Sequence, residues 1–393
     1  MNRAPASLEP ARVLVVDDVE ANRDLLVRRL QRQAHATETA ENGRVALSKL
    51  LSQEFDLVLL DIMMPEMNGY ELLQHMRSDA TLKHVPVILI SALDDTDSVV
   101  KGIELGADDH LPKPFNQHIL RARVESSLAR KRLRDREQLY AASLRREMDI
   151  ARNIQACFLP HVLPQVDGWD FAAGFQPARE VGGDFYDAFP VQDGRYLVLV
   201  VADVCDKGVG AALFMALFRS LLRAQAEQLF SQPGDPQIQV CQLADSVNSY
   251  IARTHERDNM FATAFVSVLD PSTGALIFVN AGHEAPLLCD AKGVKMRLGP
   301  TGPALGITSD GTFNASRISI SAGETLLAFT DGVSDVNGEA GGGYSEAQMV
   351  DRLQQGGLDA ATGLSHIVSD LQSVIGSGPQ FDDITLLVLR RCV

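Results

Sequence analysis

Five apolar runs in this sequence carry aspartate at one end. Val13–Asp18 reads VLVVDD, Leu57–Asp61 LVLLD, Leu197–Gly208 LVLVVADVCDKG, Leu326–Gly332 LLAFTDG and Phe381–Leu389 FDDITLLVL. A buried strand has no use for a carboxylate at its tip, because an ionised group taken out of water costs on the order of several kcal/mol unless a partner charge meets it. Carboxylates repeated at strand ends are the donor set of a hard divalent cation such as Mg2+ or Mn2+. Without His or Cys companions they are not the donor set of zinc.

The acids fall into two sets with different neighbours. In the first, Asp17 and Asp18 follow one run, Asp61 ends another and precedes IMMPEMNG, Ser91 ends VILIS, and Lys113 sits in LPKPF. Three carboxylates at adjacent strand ends suit Mg2+, and a hydroxyl with an ammonium suits phosphate oxygens, which is chemistry for an acyl phosphate. The second set comprises Asp184 and Asp187 in VGGDFYD, Asp203 in ADVCDKG, Asp331 in FTDG, and Asp382 and Asp383 in FDDIT. Such acids, brought together, repel one another unless cations join them. A pair of ions ~3.5–4 Å apart can deprotonate a bridging water and clamp a phosphoryl group for in-line attack. The second set therefore points to phosphate ester hydrolysis.

The elements that must position these residues change along the chain. A length of 393 residues predicts two domains and a connector. From Val13 to about Leu128, short Val/Ile/Leu strands (VLVVDD, LVLLDI, VPVILISA, ADDHLPKP) alternate with amphipathic stretches, the rhythm of a doubly wound α/β parallel sheet. In such sheets the working residues sit at the carboxyl ends of strands. After Phe115 neither Pro nor Gly occurs until Pro160, which predicts a long helix rich in Arg and Glu. Ile119, Leu133, Tyr140 and Ile154 share one seven-residue register, interrupted by Ser126 and Glu147. That pattern fits either a dimer-forming coiled coil or a solvated single helix. From His161 the chain becomes short strands between Gly and Pro turns, with a hairpin signal at DPSTG and helices over Ala211–Leu229 and Pro236–Thr254, so this half is α+β with antiparallel sheet. The expected boundaries are 1–128, a connector over 129–160, and 161–393.

Bulk properties exclude several functions. A net charge of -15 and a pI near 5.0 oppose attraction to nucleic acid, and no helix-turn-helix or basic stretch follows the first domain. The first residues lack a leader pattern and no run approaches the ~18 apolar residues of a membrane span, so a cytoplasmic protein is expected. The five cysteines are scattered with no C-x-x-C spacing and read as reduced thiols. GVGAAL mimics a dinucleotide loop but places Leu213 where a third small residue is needed, GVSDV lacks the closing Gly of a nucleophile elbow, and His283 has no partner His, reading as a loop hydrogen-bonder.

The set Asp17, Asp18, Asp61, Ser91 and Lys113 resembles the receiver domain of bacterial response regulators. That resemblance implies a flavodoxin-like fold, Asp61 as phosphoacceptor, Mg2+ bound by Asp17, Asp18 and Asp61, and Ser91 and Lys113 reading the phosphoryl group. It also implies a cis Lys113-Pro114 bond and a sensor histidine kinase or phosphotransfer protein as partner. His110 stands where the family commonly has Tyr or Phe.

The ordered motifs GGDFYD, ADVCDKGVGAAL, NAGHEAP, GPALGI, FTDGVSD and FDDIT, with the lead-in EMDIARNIQACFLP, resemble the metal-dependent protein phosphatase (PPM) family in its SpoIIE-like branch. The resemblance implies a two-sheet sandwich flanked by helices, two Mn2+ or Mg2+ ions, and phosphoserine or phosphothreonine proteins as substrates. Asp184 would bridge the ions, Asp203 would bind one together with the Val204 carbonyl, and Asp331 and Asp382 would hold the other, with Asp383 adjacent. Cys205-Asp206 replaces the family's Ser-Gly. The substrate implied is a phosphorylated anti-sigma factor antagonist. The architecture is also similar to the RssB-type regulator, a non-catalytic adaptor that delivers a stationary-phase sigma factor for proteolysis.

Overall fold

The computed structural model describes residues 10–92, 96–255, 257, 259–336, 344–354, 359–376, 378 and 380–392. The chain forms two compact units that divide between Leu144 and Arg145.

In the first unit the strands β1 (Arg12–Val16), β2 (Ala36–Ala40), β3 (Leu57–Asp61), β4 (Val87–Ala92) and β5 (Asp109–Lys113) form one parallel sheet in the order β2-β1-β3-β4-β5. Parallel strands covered on both faces can be apolar at every position, which is why VLVV and LVLL do not alternate with polar residues. Val13, Val15, Leu57 and Leu59 face Leu26 and Leu30 of α1 (Glu20–Gln31), together with Leu120, Val124 and Leu128 of α5 (Gln117–Phe158). Leu14, Val16, Val58 and Leu60 face the opposite way. They meet Ala46 and Leu50 of α2 (Gly43–Ser52) and Leu72, Leu73 and Met76 of α3 (Gly69–Ser78). A capping box starts α3, with the Asn68 side chain accepting from the Glu71 amide and the Glu71 side chain accepting from the Asn68 amide. α4 (Thr96–Glu104) lies between β4 and β5 in sequence.

The long helix expected after Phe115 is α5, 42 residues in length. Ile119, Leu133, Tyr140 and Ile154, the residues of the seven-residue register, are all exposed, as are Leu139, Leu144 and Ile150.

The second unit is a sandwich. Strands β6 (Trp169–Gln176), β7 (Phe185–Val191), β8 (Tyr196–Val204), β9 (Ala262–Asp270), β10 (Ala275–Ala281), β11 (Leu287–Asp290), β12 (Gly293–Arg297), β13 (Ser316–Ser319), β14 (Thr325–Phe329) and β15 (Ile384–Arg391) make two antiparallel sheets. Their orders are β13-β10-β9-β8-β7 and β12-β11-β14-β15-β6. The helices α6 (Val209–Leu229) and α7 (Pro236–Thr254) cover the first sheet, and α8 (Glu346–Gln354) and α9 (Ala360–Ile375) cover the second.

Strand β8 shows why its run is uniformly apolar. Val198, Val200 and Ala202 pack against α6 and α7, through Met215, Phe218, Leu222, Leu243 and Val247. Leu197, Leu199 and Val201 point the other way, into the layer shared with Leu326, Ala328, Leu387 and Leu389 of the second sheet. Both faces are dry, so the period of two is present but both phases are filled with apolar residues. The DPSTG turn closes the β9–β10 hairpin, with Asp270 Oδ1 accepting from the Ser272 and Thr273 amides and Gly274 at φ +81. There a Cβ would lie 2.5 Å from the Ile320 carbonyl, so glycine is required twice over.

Helix α6 corrects one expectation. By length and apolar content it passes for a membrane-crossing helix, because both its sequence and its 21-residue length reach that range. Its stripe Ala211, Met215, Phe218, Leu222 and Ala226 is buried in the core beneath β8.

Candidate functional site

Strand direction gathers the acids. In the first unit β1, β3, β4 and β5 run parallel, so Asp17, Asp61, Ser91 and Lys113 emerge along one edge. Ligand oxygens of Asp17, Asp18 and Asp61 all lie within 4.8 Å of one another. The Lys113 ammonium reaches Asp61 Oδ2 at 2.9 Å and Asp17 Oδ2 at 3.1 Å. Burial pushes the Asp61 carboxyl up, and Lys113 opposes that shift. The Ser91 hydroxyl is buried there with no hydrogen-bond partner. An orphaned hydroxyl beside three carboxylates and an ammonium is a fit for Mg2+ and a phosphoryl group. Lys113-Pro114 is cis, as expected. His110 is half-buried on β5.

Two residues here escaped the sequence reading. Asn22 donates to both oxygens of Asp17 at 3.1 Å, and Arg23 donates to the carbonyls of Asp17 and Asp18 at 2.7 and 3.0 Å. Their place on the first turn of α1, just after the acids, was the available signal.

In the second unit antiparallel pairing does the gathering. The end of β8 lies beside the start of β7, through Ala202↔Phe185, and the end of β14 lies beside the start of β15, through Phe329↔Leu386. Asp203 at the end of β8, Asp184 before β7, Asp331 after β14, and Asp382 and Asp383 before β15 are thereby brought to one end of the sandwich. Burial, then the charges of Asp203 and Asp383, push Asp184 well up, and burial with Asp331, Asp382 and Asp383 pushes Asp203 up to about 7. Asp331 is raised by burial and by Asp382, Asp335 and Glu284. Among the described residues no three of these acids fall within the 4.8 Å radius of the first set. Oxygen-only donors whose carboxyls burial and mutual repulsion push up are a chemical fit for hard divalent ions.

Several surrounding residues set this geometry. The hydroxyls of Thr330 and Thr385, wholly buried, donate to Asp184 Oδ2 at 2.7 and 2.8 Å from across the sandwich. The loop before β7 is gripped from two sides. Asp383 accepts from the amides of Ala178 and Gly183 at 2.7 Å each and of Asp184 at 3.4 Å, so both its oxygens are engaged. Gln155, the buried residue near the end of α5, donates to the Gly182 carbonyl at 2.6 Å and accepts from the Gly182 amide at 3.1 Å. A Cβ on Gly182 would sit 2.2 Å from Asp383, and one on Gly183 would sit 2.6 Å from the Val204 carbonyl, so this loop closes only around glycine.

Two acids differ from their sequence grouping. Asp187 turns into the other core and pairs with Arg219 at 3.0 Å and Arg223 at 3.3 Å, because odd and even positions of β7 face opposite layers. Asp206 is exposed at φ +73, with its carboxylate accepting from the Lys207 amide at 2.8 Å. His283 bonds Thr263 Oγ1 at 2.8 Å and Asn280, and burial pushes it down to about 4, so it is a neutral loop hydrogen-bonder. Arg179 was not anticipated: it is exposed beside Gly208, and among the described residues nothing pairs with its guanidinium.

Comparison with known proteins accords with both units. The model of the stage II sporulation protein E (SpoIIE) family matches residues 193–392, half of the chain. The chain belongs to the SpoIIE family. The response regulator receiver domain model matches residues 13–125. Asp203, Asp331, Asp382 and Asp383 lie within the SpoIIE match and Asp184 just upstream of it. Protein IcfG of Synechocystis sp. is 39% identical over 267 residues, 63% of this chain and 42% of that protein. Response regulator PleD of Caulobacter vibrioides is 43% identical over 116 residues, 30% of this chain and 26% of that protein. The chain thus spans less than half the length of either relative. Among solved structures, the SiaA-PP2C domain of Pseudomonas aeruginosa shares the fold, with 24% identity, a TM-score of 0.52, and coverage of 64% of this chain and 98% of that one. This SpoIIE-family chain is therefore a receiver domain joined to a PP2C-type phosphatase fold.

Proposed function

We propose that the chain is a two-component response regulator, phosphorylated on Asp61, whose output is metal-dependent hydrolysis of phosphoserine or phosphothreonine in a protein. The observation that carries this reading is the convergence of Asp184, Asp203, Asp331 and Asp382 at one end of the sandwich, with Asp203 pushed up to about 7 chiefly by burial and by its acidic neighbours. Residues 1–128 act as receiver, 129–160 as connector and 161–393 as phosphatase. Mg2+ serves the receiver at Asp17, Asp18 and Asp61.

Two Mn2+ or Mg2+ ions, once bound, would supply water activation and charge neutralisation at the phosphoryl group. Asp184, oriented by Thr330 and Thr385, would bridge them; Asp203 with the Val204 carbonyl, and Asp331 with Asp382, would hold one each. Asp383, whose oxygens hold the Ala178–Asp184 loop, serves to shape that loop. Bound cations would offset the burial and mutual repulsion that push the Asp184 and Asp203 carboxyls up. Arg179 lies at Gly208, the N-cap of α6, where the helix has no side-chain cap, so a guanidinium and unpaired amides meet an incoming phosphoryl group.

The retained acids favour catalysis over a non-catalytic adaptor. The family resemblance supports a phosphorylated anti-sigma factor antagonist as substrate, a histidine kinase or phosphotransfer protein as phosphodonor, and a cytoplasmic site of action. The exposed residues Leu133, Tyr140 and Ile154 support a homodimer through α5. The test is Mn2+- or Mg2+-dependent phosphate release from a phosphoprotein, with and without an acyl-phosphate donor to load Asp61. No release under any of these conditions would leave the adaptor reading in its place.

A further inference from the structure

One cation does stand among the C-terminal acids. Lys207 lies in the turn between β8 and α6, where Asp206 at φ +73 fixes the direction of its backbone. Its ammonium crosses to the segment before β15, 2.7 Å from Asp382 Oδ2, and donates to the Phe381 carbonyl at 2.7 Å. The same charge lies 4.5 Å from the centre of the Phe381 ring, a ring otherwise 72% exposed. Asp382 Oδ1 accepts from the Asp383 amide at 2.9 Å, so each oxygen of Asp382 has a donor. The side chains of Lys207 and Asp382 are 30% and 25% exposed, so the ion pair is largely withdrawn from solvent.

We propose that Lys207 is a tethered counter-ion that competes with a divalent cation for Asp382 and so sets the metal affinity of that half of the site. The proposal rests on Asp382 being a metal ligand. An ammonium in contact with a carboxylate oxygen and a divalent ion bound to that same oxygen repel at close range, since like charges in a partly desolvated site are poorly screened. Metal binding must therefore displace Lys207 from Asp382, against its carbonyl bond and its aromatic contact. Lysine suits this work: its charge sits on a flexible four-carbon stem, so it can leave without disturbing the backbone. No other Lys or Arg side chain among the described residues pairs with Asp184, Asp203, Asp331 or Asp382.

The test is Mn2+ binding to the full chain by calorimetry without substrate, with the receiver acids silenced by Asp18→Asn. Lys207→Met removes the charge and keeps the stem. Lys207→Gln removes the charge and keeps a donor for the Phe381 carbonyl. Lys207→Arg keeps the charge. Competition requires Mn2+ to bind about tenfold tighter in the Met and Gln variants and near the parent value in the Arg variant, as expected for loss of a partly buried ion pair of about 1.4 kcal/mol. Unchanged or weaker binding in both neutral variants, with melting temperature retained, overturns it. Should Lys207→Met fail to fold, the Gln variant decides. Asp382→Asn separates the two levels: if it binds Mn2+ as the parent does, the metal role of Asp382 falls. If it weakens binding and the neutral lysine variants do not tighten it, only the competition falls.

Discussion

The two acid sites meet their negative charge differently. In the receiver, three carboxylates share a small volume with Lys113, whose ammonium touches two of them at 2.9 and 3.1 Å. In the sandwich, a larger set of acids has Lys207 at one edge, and burial with mutual repulsion pushes the Asp184 and Asp203 carboxyls up. The receiver carries part of its counter-charge in its own chain, one ammonium held between two of its three carboxylates, and needs an ion for the rest. The sandwich must import its counter-charge. The first arrangement suits a site that is loaded and unloaded covalently on one residue, and the second suits a site where ions do the chemistry and the protein holds them.

The sharpest way to break that contrast is a crossed pair of substitutions. Asp61→Asn is expected to abolish uptake of labelled phosphate from an acyl-phosphate donor while metal-dependent hydrolysis persists. Asp331→Ala should leave labelling intact and lower hydrolysis by at least about a hundredfold, the scale for losing a charge placed at the reacting centre. If either variant lost both activities with its circular dichroism unchanged, the two sites would not be separable.

Next in size is the hydroxyl support of Asp184. Thr385→Val keeps the shape and removes one donor to Oδ2. Mn2+ affinity should fall about tenfold or more, the range for residues that orient metal ligands. An unchanged calorimetric isotherm would mean that Asp184 is oriented without it.

The raised Asp203 carboxyl gives a pH signature. Asp203 is raised from 3.8 to about 7, so the folded protein binds more protons than the unfolded chain between those values. The stability this contributes is present at low pH and is lost as pH rises through about 7. Cations replace the protons above that window. Mn2+ at a hundred times its dissociation constant should raise the melting temperature by about 5–10 °C at pH 8, and by clearly less at pH 5. An equal rise at both pH values would contradict metal binding by these carboxylates.

Asp206 should matter least. Its φ of +73 is a conformation that glycine adopts freely, so Asp206→Gly is expected to change stability by no more than about 1 kcal/mol in chemical denaturation, in the stabilising direction. A large loss would show that the Asp206–Lys207 contact does more than set a turn.

The acids themselves were legible in the sequence because charge at the tip of an apolar run is anomalous wherever it occurs. The apolar strands that end in those acids and the hairpin at DPSTG were legible for similar local reasons, whereas β2, reading ATETA, has no apolar run to mark it. Thr330 and Thr385 were not, since their partner Asp184 lies 146 and 201 residues away and their hydroxyls look like ordinary strand threonines. Gln155 is polar in a polar helix, and only the close approach of Gly182 reveals it as buried. Asp187 misled in the opposite sense, because it sits in the same motif as Asp184 yet on a strand face served by Arg219 and Arg223. Helix α6 was legible as a helix, but its apolar content was understated, since a helix beneath a central sheet can be as apolar as one in a membrane.

The most direct test is anomalous diffraction from crystals of the full chain grown with Mn2+. Two manganese peaks about 3.5–4 Å apart, bounded by Asp184, Asp203, Asp331 and Asp382, are expected. Manganese found only at Asp17, Asp18 and Asp61, with none among the sandwich acids, would contradict the assignment of the second unit as a metal-dependent phosphatase.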